Sequence, residues 1–277
     1  MTLPTRSSSA LSRRIFWIKT LTIVALLCLW ELLSRSGLFY KGVMPSVLAV
    51  VKAAFNELAD IGFYRDLGIT MLESSVGFVC GSIIAIAIAI GLGLSPYARR
   101  MIEPYITAIG GTPKIIFLPI LFLIFGLGLE SKMAKAALST FFPVVLSTTS
   151  GFVQIPHVLL RVGRSFDLSW SQLVRKIYLP AMANPLLTGL RLGMAMAIIG
   201  VLSAEISYSD SGLGFRLIRD ADQFRIPSVY ALTILIFTVS ATINFVMSKL
   251  QDHLNRHKRQ HRLAAMDLAP VGTLPGA

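Results

Sequence analysis

The sequence predicts an all-α integral membrane protein with six transmembrane helices, and three observations carry that prediction. Hydrophobic residues make up 54% of the 277 and charged residues only 14%, with a mean hydropathy of +0.69; a water-soluble domain carries about 25% charged residues. Runs almost free of charge recur at 15–33, 76–94, 106–129, 136–153, 182–204 and 226–248, each near the roughly 20 residues that a helix needs to cross a hydrocarbon layer about 30 Å thick. The stretches IIAIAIAI and LTILIFTVSATINFVM are apolar on every face, whereas barrel strands would be shorter and alternate apolar with polar residues.

The first run follows Arg13 and Arg14 and has the charged and apolar parts of a signal peptide. It ends in WELLSRSGLFYKG, which lacks the small-residue cleavage pattern, so 15–33 is read as a retained span behind a short segment 1–14. Cys28 in this run and Cys80 in the second suggest no disulfide framework and read as small core residues. Gly77 and Gly81 in the second run have the small-xxx-small spacing that lets helix backbones approach closely, and the default reading is packing within one chain.

The third run contains Lys114 in TPKIIFLP, where two prolines open the helix and free backbone carbonyls. Ionisable residues at membrane depth are expensive, so Lys114, Glu73 and Glu205 are candidates for the lining of a path, weighed against interfacial anchoring of Lys114 and Glu205. The fifth run repeats the small-residue spacing at Gly189 and Gly193, and Glu205 closes it.

Cations fix the orientation, because the cytoplasmic flanks of spans retain Lys and Arg. With the N-terminus inside, 16 of the 26 fall on inner segments and 9 on outer ones, Lys132 and Lys135 among the latter, with Lys114 embedded. Both ends are then cytoplasmic. Topology and anionic lipid account for most of the formal charge of +12, which removes the case for a nucleic-acid partner.

This orientation places the polar loop after the fourth run, 161–180, inside the cell. Ser169 to Gln172 fits the S-x-x-Q capping box of a helix start. Trp170, Leu173, Val174 and Ile177 form an apolar stripe, and Pro180 is expected to limit how far the helix continues. The result is an amphipathic helix, either lying on the membrane surface or docking a cytosolic partner.

Ile177-Tyr178-Leu179-Pro180 with its upstream spacing resembles the end of the coupling loop of inner-membrane permeases of binding-protein-dependent ABC importers. LWELLSRSGLF, MPSVLAVV, EPYITAIGGTPKIIFLPILFLIFGLG and LPAMANPLLTGLRLGMAMAIIGVLSAE followed by SGLGF resemble the nitrate, sulfonate and taurine branch of that family. The resemblance covers nearly the whole chain. It implies a coupling helix between the fourth and fifth spans that docks an ATP-binding subunit through Arg161, Gly163, Arg164, Phe166, Asp167, Leu168, Trp170, Leu173, Ile177 and Pro180. The implied partners are two cytosolic ATP-binding subunits, an extracytoplasmic solute-binding protein and a second permease copy, in the inner membrane of a bacterium. Where the family pattern has Glu, Ala and Gly, this chain has Arg161, Gly163 and Asp167, and Glu73 stands where similar proteins carry a basic residue.

Other chemistry finds little support. The chain has no G-x-x-x-x-G-K-[ST] phosphate loop, so ATP and magnesium are expected on the partner subunit and no cofactor on this chain. His253, His257 and His261 repeat at helical spacing but sit in a cationic stretch, read with 251–277 as a solvated end and flexible tail. A secondary transporter or channel would require inverted repeats with paired broken helices or a ring of pore charges, and a membrane enzyme a clustered catalytic set. The sequence offers none of these.

Overall fold

The computed structural model of the protein describes residues 8–38 and 42–267; for residues 8–12, His157, Arg164, Trp170 and 255–267 it describes the backbone alone. The rest of the tail and the side chains of His257 and His261 lie outside the described residues. Among the described residues every regular element is helical. In chain order they are α1 (Ser8–Arg35), α2 (Val47–Ala59), α3 (Ile61–Leu94), α4 (Pro96–Gly111), α5 (Leu118–Phe125), α6 (Leu129–Val153), α7 (His157–Ser165), α8 (Trp170–Leu173), α9 (Leu179–Ser207), α10 (Leu213–Asp222) and α11 (Ile226–Asp267).

Five helical stretches are long and apolar enough to cross a membrane: Arg13–Arg35, Ile61–Leu94, Leu129–Val153, Ser171–Ser207 and Ile226–Leu254. The predicted third run is not a straight helix. Pro96–Gly111 and Lys114–Phe125 meet at a bend of 92°, where Pro113 has no N–H to continue the ladder and a short 3₁₀ turn, Lys114–Phe117, begins. The second run also starts earlier than its composition suggests. The stretch from Arg65 to Glu73, ahead of the apolar run 76–94, belongs to the 34-residue α3.

The chain forms two compact units, Met1–Tyr64 with Arg216–Leu235, and Arg65–Phe215 with Ile236–Ala277. In the first, Val50 and Ala53 of α2 bury against Ala231, with Trp30 and Tyr230 packed around them in an edge-on ring pair. Glu31 accepts from the Val47 amide and the Trp30 indole donates to the Pro45 carbonyl, so the end of α1 is tied to the start of α2. Most of α1 stays exposed.

The second unit is built around α6, more than half of whose span is buried. Its main partner is α9, and glycines set the approach. A Cβ on Gly193 would lie 2.8 Å from Val144 Cγ2, and one on Gly189 2.8 Å from Ser147 Cβ. Approaches this close are how helices associate in a medium without a hydrophobic driving force between them. The Thr140 hydroxyl adds a cross-helix bond to the Gly193 carbonyl, 3.2 Å. On the other side of α6, Gly81 of α3 meets the Ala137 backbone. All four glycines that the sequence singles out therefore pack within the chain. Ala85, Ala89 and Leu92 of α3 join Ile106 of α4 and Phe142, Val144 and Val145 of α6 in the largest apolar cluster of this unit.

Two sequence expectations fail here for the same reason. Cys28 and Cys80 are free and exposed on the faces of α1 and α3, not buried in the core, because an apolar run meets lipid on one side and composition does not say which.

Candidate functional sites: a buried polar cluster and an exposed helical loop

Inside the second unit, α3 and the start of α10 converge on Glu205 of α9. This carboxylate has no exposed surface; Thr70 of α3 donates its hydroxyl to Oε1 at 2.7 Å, and the Gly214 amide donates to Oε2 at 2.7 Å. The Thr70 hydroxyl oxygen in turn accepts from the Leu213 amide at 2.9 Å, and Asp66 accepts from the Gly212 amide at 3.2 Å. The amides of Gly212, Leu213 and Gly214 at the start of α10, where an isolated helix leaves its N–H groups unpaired, are thus met by side chains from α3 and α9. Gly212 holds φ +97°, and any side chain there would run into the Glu205 carboxylate. The SGLGF sequence is the backbone half of this arrangement.

One turn further along α3, Glu73 lies 3.4 Å from Lys132 Nζ in a pair that is closed to solvent on both sides. Lys132 also donates to the Ser209 hydroxyl at 2.6 Å. The predicted outer-loop position of Lys132 and Lys135 is therefore wrong: both are buried in α6. Glu73 and Glu205, the other candidates for the lining of a path, have no exposed surface in this fold. They are buried ties, and Lys132 supplies the cation that the unusual Glu73 needs. Sequence reasoning missed Thr70 and Lys132; a lysine only seven residues before the 139–153 stretch of α6 was the available signal.

In the first unit, Arg216 is buried between Glu57, which accepts from Nε at 2.8 Å, and Asp60, with which it forms an ion pair and a hydrogen bond. Asp60 lies outside the candidate spans. The Arg216 guanidinium, and then the Gly62 amide, hold its carboxyl below the usual carboxylate range.

Lys114 stands at the bend between α4 and α5. Its ammonium donates to the Gly110 carbonyl at 2.7 Å, one of the acceptors left over where α4 ends, and sits 5.1 Å from the centroid of the Phe142 ring.

The loop 161–180 is built differently from what its sequence suggests. Helix α7 ends in a Schellman turn in which the Leu168 amide reaches back to the Gly163 carbonyl at 3.2 Å. The residue past the cap must then be left-handed, and Asp167 holds φ +47°. Asp is one of the few residues besides glycine that enter this region routinely, which is the physical sense of its standing at a family glycine. Gly163 is buried under Leu173 and Ile177, whose Cδ1 atoms would lie 2.8 and 2.7 Å from a Cβ there. That contact folds α7 and α8 into a hairpin and turns the apolar stripe inward.

Among the exposed side chains of the loop are Phe166, 76% exposed, and Arg161, Asp167, Arg175 and Lys176, while Leu168 is half-buried. The side chains of Arg164 and Trp170 lie outside the described residues. Gln172 closes half of the capping box, accepting from the Ser169 amide at 3.0 Å. Pro180 does not end the helix. A π turn, Val174–Tyr178, lets the Leu179 amide donate to Val174 five residues back, and Pro180 enters α9 in its first turn, where no N–H is required. The short helix and the following span are therefore continuous through Ser171–Ser207.

The chain thus carries five membrane-length helices and, leading into the fourth of them, a helical hairpin. The sequence profile of the binding-protein-dependent transport system inner membrane components matches residues 77–260, and the chain belongs to that family. It is 30% identical over 229 residues to the aliphatic sulfonates transport permease protein SsuC of Bacillus subtilis (strain 168), covering 82% of each chain. It is 25% identical over 225 residues to the taurine transport system permease protein TauC of Escherichia coli (strain K12), covering 79% of this chain and 82% of the relative. The fold resembles that of a chain in inward-facing conformations of the MetNI methionine ABC transporter, with a TM-score of 0.57 at 16% identity over 74% of this chain and 96% of the other.

Proposed function

We propose that this chain is the permease subunit of an ABC importer for a small organic anion of the sulfonate or taurine type, with α4 and α5 together forming a broken third crossing of six. Both termini then face the cytoplasm, a second copy completes the pathway, and a solute-binding protein delivers cargo from the other side. The substrates for which SsuC and TauC are named support the substrate class. The inner-membrane family supports the membrane and the partner set.

The observation that carries the coupling role is the hairpin itself: a cationic loop leading straight into a membrane-length helix, stiffened by Gly163, Asp167 and a π turn, with an exposed aromatic, Phe166. A rigid projection joined without a break to a membrane helix is suited to pass a displacement from an ATPase surface into the bundle. Phe166 is the exposed anchor and Arg161 a rim charge; Trp170 and Pro180 belong to the continuous helix, and Leu173 and Ile177 hold the hairpin together. Lys114 is kept as a path residue, because its ammonium is bonded only to a carbonyl and a ring face.

Reconstitution tests this. The purified chain alone should hydrolyse no ATP, and uptake into proteoliposomes should require added ATPase subunits and binding protein. Phe166→Ala should weaken ATPase association by about thirtyfold, corresponding to the 2 kcal/mol or more of a buried interface anchor. Arg161→Glu should have a smaller, salt-sensitive effect, as rim charges do. With Cys28 and Cys80 replaced by serine, a cysteine at Ser171 should be labelled from the cytoplasmic side and one at Ser211 from outside. Uptake without the ATPase would assign the chain to secondary transport.

A further inference from the structure

A groove of about 580 Å³ runs between α9 and α11, within the range of about 300–1,000 Å³ typical of small-molecule sites. Its lining is segregated. Arg191 lies on the α9 wall, and the α11 wall carries Ser240, Asn244 and Ser248, spaced four apart and so stacked on one helix face. The remainder of the lining is apolar, with Leu202 and Phe237 among it.

Arg191 is a half-buried guanidinium inside the candidate span Ser171–Ser207. Its Nη1 donates to the Ser248 hydroxyl at 3.3 Å, and among the described residues no ion pair joins it to a carboxylate. An arginine at membrane depth is costly unless something answers its charge. Two buried cations elsewhere in the chain have that answer, Lys132 in Glu73 and Arg216 in Glu57 and Asp60. Arg191 instead faces a cavity edged with hydroxyl and amide groups, the set that recognises an oxyanion. Leu202 lies eleven residues along α9, roughly 16 Å at the rise of a helix, so the apolar part of the groove extends well beyond the charged end.

We propose that this groove binds an oxyanion carrying an aliphatic chain, with its head on Arg191 and Ser248 and its chain toward Leu202 and Phe237. The same chemistry is found in a free alkanesulfonate and in one arm of an anionic lipid. The inference stands on the groove alone and survives or fails independently of the coupling role of the hairpin.

The full chain in nanodiscs of phosphatidylcholine, titrated calorimetrically with octanesulfonate, should show saturable binding, weaker for ethanesulfonate. Arg191→Gln should lower the affinity at least tenfold and Arg191→Lys should retain much of it. Ala241→Phe, which fills the groove from its exposed wall without touching the charge, should abolish binding while the protein stays monodisperse. In a parallel arm, phosphatidylglycerol retained by the purified chain is counted by native mass spectrometry. Arg191-dependent loss of that lipid, without octanesulfonate binding, upholds the site and assigns it to lipid. Octanesulfonate binding without lipid retention upholds it for a free anion. If neither molecule binds, or if both bind equally to Arg191→Gln and to Ala241→Phe, the proposal is overturned.

Discussion

Thr70 and Glu205, separated by 135 positions in the chain, meet at 2.7 Å where neither has exposed surface worth the name. The Thr70 hydroxyl donates a hydrogen bond to Glu205 and accepts one from the Leu213 amide, so a single oxygen joins α3, α9 and the start of α10. A carboxylate in this position serves the backbone of a neighbouring helix.

That arrangement predicts a graded loss. Glu205→Ala leaves the Gly214 amide and the Thr70 hydroxyl without their acceptor, each buried orphan costing about 1–3 kcal/mol. Thr70→Val removes one of the two donors to Glu205 and the acceptor of the Leu213 amide, so it strands a single buried N–H and should cost less. Glu205→Gln keeps an acceptor oxygen for one of the two bonds and should fall between wild type and Glu205→Ala. Thermal unfolding in detergent should rank the four proteins in this order, and an unchanged midpoint for Glu205→Ala would show that α10 is held by something else.

The approach of α3 to α6 gives a paired prediction. A Cβ on Gly81 would lie 2.9 Å from Ala137 Cα, backbone that cannot step aside, whereas one on Gly91 meets nothing within 4 Å. Gly81→Ala should therefore destabilise by about 1–3 kcal/mol through overpacking. Gly91→Ala should be neutral or slightly stabilising, as glycine is the poorer helix former. Equal effects at the two positions would contradict the observed contact.

Acid should act on the first unit through Asp60. Because Arg216 lowers its folded-state pKa, the ionised carboxyl contributes stability that is complete above the unfolded value, about 3.9, and is lost as pH falls toward the lower folded value. Asp60→Asn should consequently flatten the pH dependence of thermal stability below about pH 4, with Glu57 still holding Arg216. Superimposable profiles for the two proteins over that acid limb would rule the clamp out as its source.

Helix existence was legible because run length and uniform apolarity are local properties, and so was the intrachain use of Gly77, Gly81, Gly189 and Gly193. The α3 start was not legible: Arg65, Asp66, Thr70 and Glu73 look like solvent-facing residues until their partners at 132 and 205–214 are in place. The same holds for the loop. Its apolar stripe was readable, but its direction depends on Gly163, whose missing side chain makes the seat for Leu173 and Ile177. The continuation past Pro180 was missed because a π turn shifts the bonding by one residue and leaves no mark in an apolar pattern.

The pair of Glu73 and Lys132 separates two meanings of a buried charge. Removing both charges from water is expensive, and their attraction offsets that cost only in part, so the intact pair contributes little net stability. Losing one partner is another matter, since the survivor is then a lone charge with no exposure, and the cost is about 3–5 kcal/mol. Lys132→Met should accordingly be severely destabilised, with Glu73→Gln milder because Ser209 still accepts from Lys132. The double variant Glu73→Leu with Lys132→Met should recover most of the loss and approach the wild type in thermal stability. If the double variant is as unstable as Lys132→Met alone, the damage comes from the lost Ser209 contact and not from the stranded carboxylate. If it is stable but transport fails, the pair is retained for a step in the transport cycle that the folded bundle does not itself require.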